Sequence, residues 1–195
     1  MYQLLIALDH RIFLFVNHWP HRTVSDAIAL TLSGVLGSTV VVWLLLSVWI
    51  FIREEKKDHW FFLPVILASL LSILGTDVIL KSFFSRNRPP ISLGTITVGS
   101  PLLDHSSPSG HATFAWTLAV VLASKEPRAS LLFYALAFLV SLSRVYLGAH
   151  YPSDVIAGTF IGLGIGYISL WIERNVIKYP HVKVKRKRAP YHSRG

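Results

Sequence analysis

From residue 28 to residue 52 the chain carries no charged side chain, an uninterrupted run of 25 residues. This run constrains the fold more than any other feature. As a helix rising about 1.5 Å per residue it would reach roughly 38 Å, enough to cross a hydrocarbon core with some tilt. Lipid offers a backbone no hydrogen-bond partners, so a segment placed there must satisfy its own amides, as a helix does. Four more apolar stretches follow, at 61–80 (with Pro64 near its start), 110–124, 129–148 and 155–172. The stretch at 110–124 is short for a full crossing and is expected to begin below the headgroups, inside the protein. The last contains Gly158, Gly162, Gly164 and Gly166, small residues at helical spacing that let helix backbones approach closely.

These stretches predict an all-α, polytopic membrane helix bundle with five spanning helices and an N-terminal helix lying in the interface, a six-span bundle being the alternative. The first residues, "MYQLLIALDHRIFLFVNHWP", are apolar on one face but carry Asp9, His10 and Arg11 in mid-segment, which suits an interfacial helix anchored by Trp19. No basic n-region precedes the apolar part, so a cleaved leader is not expected. One domain is read over 1–195: an interfacial helix at 1–22, the bundle at 23–174 and a basic tail at 175–195. The composition agrees, being 52% hydrophobic and only 15% charged. Much of the net charge of +9 lies in that tail, which fits anionic headgroups better than nucleic acid. Counting Lys and Arg beside the spans places residues 53–59, 125–128 and the tail on the cytoplasmic side of an inner membrane. The loop at 84–108 and the "GAHYPS" turn then face outward together.

With no cysteine in the chain, thiolate chemistry is excluded, and His, Asp, Ser, Lys and Arg must carry any reaction. Three polar clusters fall at span ends on the outer side: "KSFFSRNRP" (81–89), "PSGH" (108–111) and "SRVYLGAHYPSD" (143–154). Ionisable groups at membrane depth are costly and mark function by default. Lys81, Arg88 and Arg144 supply positive charge suited to a phosphate. Pro108 stops a preceding helix, Ser109 is a good N-cap, and Gly110 lets a helix start approach an oxyanion closely. His111 in the first turn could protonate a leaving oxygen. His150 precedes Asp154 by four residues, so the carboxylate could accept its Nδ1 proton and leave Nε2 free to attack phosphorus.

Taken together, Lys81-x6-Arg88-Pro89, Pro108-Ser109-Gly110-His111 and Ser143-Arg144-x5-His150-x3-Asp154 resemble the three-part signature of the type 2 phosphatidic acid phosphatase superfamily, integral-membrane lipid phosphatases sharing a fold with vanadium haloperoxidases. The resemblance implies removal of a terminal phosphate without metal or other cofactor. It implies His150 as nucleophile, Asp154 as its partner and His111 as general acid, with Lys81, Arg88, Ser109, Gly110, Ser143 and Arg144 holding phosphate. The partners it implies are a membrane lipid and water. The compact "GAHYPSDV" turn most resembles bacterial undecaprenyl pyrophosphate phosphatases. Phosphatidylglycerophosphate, phosphatidic acid and lipid A phosphate stay open as substrates.

Each residue alone has a plainer explanation: snorkelling for Lys81 and Arg144, helix capping for Asp154. A protein that binds or transports anionic lipid without turnover would use the same cations. Peroxidase chemistry suits a greasy bundle poorly. His10, His18, His21, His59, His181 and His192 show no ligand spacing, so no metal site is expected. Asp104 and His105 overhang the pocket and are given at most a minor contact with substrate.

Overall fold

The structure, a computed structural model, describes residues 2–37, 40–53, 61–99 and 103–178. Among the described residues there are helices and loops but no strand. The helices are α1 (Tyr2–Asn17), α2 (Thr23–Thr31), α3 (Val40–Arg53), α4 (Leu63–Ile73), α5 (Lys81–Phe84), α6 (Gly110–Lys125), α7 (Ser130–Tyr146) and α8 (Pro152–Ile172). Helical segments at Leu63–Phe84, Pro127–Tyr146 and Pro152–Val176 are long and apolar enough to cross a membrane.

The run at 28–52, expected to be the clearest span, is described as shorter pieces: α2 with a π-helical turn at Leu32–Leu36, and then α3. Residues 38 and 39 between them lie outside the described residues. The wide turn closes on the amide of Gly37, which donates to the Leu32 carbonyl at 3.0 Å. A Cβ at Gly37 would come within 2.9 Å of both His111 and Val140. Glycine therefore lets this part of the chain press against the site.

The short stretch at 110–124 becomes α6, the axis of the bundle. Pro108 and the N-cap Ser109, whose hydroxyl faces the Ala112 amide, set its start. Every residue from Ala112 to Ala123 except Trp116 is buried, so a helix too short to stand alone in lipid is sheathed by its neighbours. The glycine stripe does part of this. A Cβ at Gly162 would lie 2.4 Å from the Thr113 carbonyl and one at Gly158 2.7 Å from the Ser109 carbonyl, whereas Gly164 faces open space. Because the backbones approach so closely, the Thr117 hydroxyl donates across helices to the Gly162 carbonyl at 3.1 Å.

Pro152 occupies the first turn of α8, where its missing N–H costs nothing. The start of α6, the end of α7 and the start of α8 thus meet at one end of the bundle. Helix α1 lies along that end: Asp9 holds Ser153 of α8, and Asn17 donates to the Tyr146 carbonyl at the end of α7 at 2.8 Å. Most of the basic tail, 179–195, and the 54–60 segment lie outside the described residues.

Candidate active site

His150 sits in the turn between α7 and α8, 1% exposed. Its Nδ1 lies 2.7 Å from the Ser106 carbonyl. That contact fixes the tautomer, because a carbonyl can only accept: Nδ1 carries the proton and Nε2 presents its lone pair. Nε2 faces the Arg88 guanidinium, 3.2 Å from Nη1.

The sequence-based expectation that Asp154 accepts the Nδ1 proton is corrected here. Asp154 Oδ2 stands 3.9 Å from Nδ1, beyond hydrogen-bond range. That oxygen instead accepts the Tyr151 amide at 3.0 Å, while Oδ1 accepts from Arg86 at 2.7 Å. As the third residue of α8, Asp154 caps its own helix and braces the turn that carries His150.

Arg88, His111 and Arg144 line one cavity of about 440 Å³, with Ser33 and Gly34 of the α2 segment on its wall. Arg144 is buried at the end of α7 and donates from Nη1 to the Ser33 hydroxyl, while its Nε has no hydrogen-bond partner. Ser143 is buried beside it, its hydroxyl turned back to the Val140 carbonyl at 2.7 Å. Lys81 donates to Asp104 at 2.7 Å, and Arg88 donates to the other oxygen of the same carboxylate at 2.6 Å. The structure therefore brings Arg88, His111 and Arg144 to one pocket, places His150 against Arg88, and sets Ser109 and Gly110 at the helix start carrying His111.

The profile of the PAP2 superfamily matches residues 61–178, a stretch that contains all three clusters. The chain belongs to the PAP2 superfamily. An undecaprenyl-diphosphatase of Sulfolobus acidocaldarius is 46% identical over 71 residues, which are 36% of this chain and 34% of that protein. A lipid A 4'-phosphatase of Bacteroides thetaiotaomicron is 30% identical over 185 residues, covering 88% of this chain and 80% of that protein. The crystal structure of Aquifex aeolicus LpxE superposes with a TM-score of 0.69 at 35% identity, over 83% of this chain and 93% of that one.

In this PAP2 chain two supporting residues escaped the sequence reading. Arg86 donates to Asp154 at 2.7 Å, to the Ser153 hydroxyl at 2.6 Å and to Asp9 at 2.8 Å, and its guanidinium lies over the Tyr151 ring. It ties α1, the 81–89 cluster and the start of α8 into one unit. Ser106 is a second: its carbonyl takes His150, and its amide and hydroxyl hold the Arg86 and Asn87 carbonyls. An unexplained third cation within "KSFFSRNRP" was the one available signal for Arg86. No pattern pointed to Ser106. Among the described residues no cluster of His, Cys, Asp or Glu is arranged to hold a metal ion.

Proposed function

We propose that the chain is a membrane lipid phosphatase that removes a terminal phosphate from a lipid phosphate or pyrophosphate through a phosphohistidine intermediate, without a metal. The observation that carries this reading is the meeting of Arg88 with His150 Nε2 at 3.2 Å beside a cavity that Arg88 shares with His111 and Arg144. Arg88, Lys81, Arg144 and the α6 start would neutralise the phosphoryl oxygens. His150 Nε2 would attack phosphorus, forming a P–N bond as the P–O bond to the lipid breaks. His111 would give its proton to the departing oxygen. Water would then attack the phosphohistidine, returning a proton to His111 and releasing inorganic phosphate as the P–N bond breaks. Ser109, Gly110 and Ser143 would complete the phosphate cradle, and Asp154 would support His150 through the α7–α8 turn.

The Sulfolobus relative's name supports undecaprenyl pyrophosphate as substrate, and the longer match to the Bacteroides protein supports lipid A phosphate as the second reading. The site would face the extracytoplasmic side of a bacterial inner membrane, with the 175–195 tail in the cytoplasm. The test is phosphate release by purified protein in detergent with chelator present, undecaprenyl pyrophosphate and a lipid A phosphate assayed side by side. Wild type is expected to turn over the former faster. His150→Asn is expected to abolish release while substrate binding persists. Unchanged release in His150→Asn overturns the mechanism, and faster turnover of lipid A phosphate overturns the choice of substrate.

A further inference from the structure

We infer that the Asp104 carboxylate is a resident surrogate for substrate phosphate: it occupies two cations of the site, Lys81 and Arg88, at rest, so that an incoming phosphate must displace it. This rests on the phosphatase reading above, and it assigns Asp104 the role of an affinity- and specificity-determining residue.

The geometry is that of an oxyanion in its cradle. The two carboxylate oxygens divide between Lys81 Nζ at 2.7 Å and Arg88 Nη2 at 2.6 Å. The Arg88 Nε also donates to the Asp104 backbone carbonyl at 3.0 Å. Arg88 is thereby held with Nη1 against His150 Nε2 at 3.2 Å and against the Ala149 carbonyl at 2.6 Å. Every nitrogen of this guanidinium is engaged, and one of them covers the lone pair that would attack phosphorus. The arrangement guards the nucleophile while Asp104 is in place.

The loop is built so that Asp104 can leave without disturbing the rest. Ser106, two residues on, is buried and anchored to the Arg86 and Asn87 carbonyls and to His150. On the other flank Leu103 is fully exposed, and the Asp104 side chain is 49% exposed. A side-chain rotation toward solvent therefore withdraws the carboxylate from Lys81 and Arg88 and leaves the Ser106–His150 contact intact. A phosphate monoester or terminal pyrophosphate group carries about two negative charges and three acceptor oxygens, against one charge and two oxygens for the carboxylate. It outcompetes Asp104 for the same donors, whereas a singly charged phosphodiester gains little. The carboxylate thus sets a threshold that favours terminal phosphates.

Orthovanadate and inorganic phosphate are the probes, titrated into the purified full-length protein by calorimetry. Asp104→Asn is expected to tighten both by about tenfold, the removed charge being equivalent to ~1.4 kcal/mol. Asp104→Ala, which lacks any competing oxygen, is expected to tighten them at least as much. Affinities unchanged or weakened in both variants overturn the inference, because Asp104 would then serve only to orient Lys81 and Arg88. Phosphate release from undecaprenyl pyrophosphate, followed in parallel, separates the two ideas. Wild-type turnover without tightening in the variants sinks the surrogate and spares the phosphatase. Tightening without wild-type turnover on any lipid phosphate does the reverse.

Discussion

The enclosure of His150 governs its proton. Burial comes first, followed by the positive charges of Arg144 and Arg88 and the neighbouring His111, and together they push the imidazole well below its ordinary range, against the opposing pull of the Ser106 carbonyl. A depressed pKa means that the neutral, nucleophilic ring persists as pH falls. The acid limb of kcat/KM, which reports the free enzyme, is therefore expected well below the ordinary imidazole value of about 6.5. The alkaline limb is expected in kcat, where the charge of bound phosphate holds the proton on His111. Steady-state rates across the pH range check this: an acid limb at or above 6.5, or a flat profile, contradicts it. Asp104 adds nothing to the profile. Burial acts to raise its carboxyl, but hydrogen bonds and charge from Lys81 and Arg88 prevail and bring it to about 2, so Asp104→Asn is expected to leave the acid limb in place. At this scale residue type singled out His111 and His150, which the structure sets beside Arg144 and Arg88, but the acceptor of the His150 proton differs from the one expected. A four-residue spacing points to Asp154, yet the acceptor is a backbone carbonyl 44 residues upstream, which no local pattern can reveal.

Helix boundaries were far more legible, because they follow from chemistry local to each segment. Pro108 and Ser109 start α6, Pro152 starts α8, and apolar run length sets where each ends. What could not be read locally is how the helices touch, and there the glycines make a sharp prediction. Gly162→Ala puts a methyl 2.4 Å from the Thr113 carbonyl, whereas Gly164→Ala meets nothing within 4 Å. The first is expected to cost about 1–3 kcal/mol, as overpacking does, and to lower both Tm and turnover by parting the helices that carry His111 and Asp154. The second is expected to be neutral, and thermal unfolding of both variants in detergent tests the pair. Arg86 joins elements in another way, by charge. Arg86→Lys cannot reproduce a planar fork that serves Asp9, Ser153 and Asp154 at once. Its kcat is expected to fall more than tenfold, and Arg86→Ala is expected to be less stable still, since it leaves the fully buried Asp154 without its ionic partner. Equal kcat in wild type and Arg86→Lys removes Arg86 from the positioning role.

For the whole molecule the decisive matter is which way the bundle sits. Its two ends differ chemically. One holds the site, where Lys81, Arg86, Arg88 and Arg144 gather; the other holds the turn at 126–129 between α6 and α7, with Lys125 paired to Glu173 at 2.6 Å. Cations at the first end are engaged with Asp104, Asp9, Asp154 and Ser33, so their number reflects chemistry and not retention by the cytoplasmic leaflet. The positive-inside rule must therefore be judged on the other Lys and Arg of the sequence, those of 53–59, 125–128 and the tail. The rule then predicts an extracytoplasmic site. The chain contains no cysteine, so a single introduced thiol reports its own side of the membrane without background. Leu103→Cys, beside Asp104 and fully exposed, is expected to react with a membrane-impermeant maleimide in intact cells. Arg128→Cys, in the turn at the opposite end, is expected to react only after lysis. The reverse pattern would place the three clusters in the cytoplasm and remove any route from this protein to lipid phosphates of the outer leaflet.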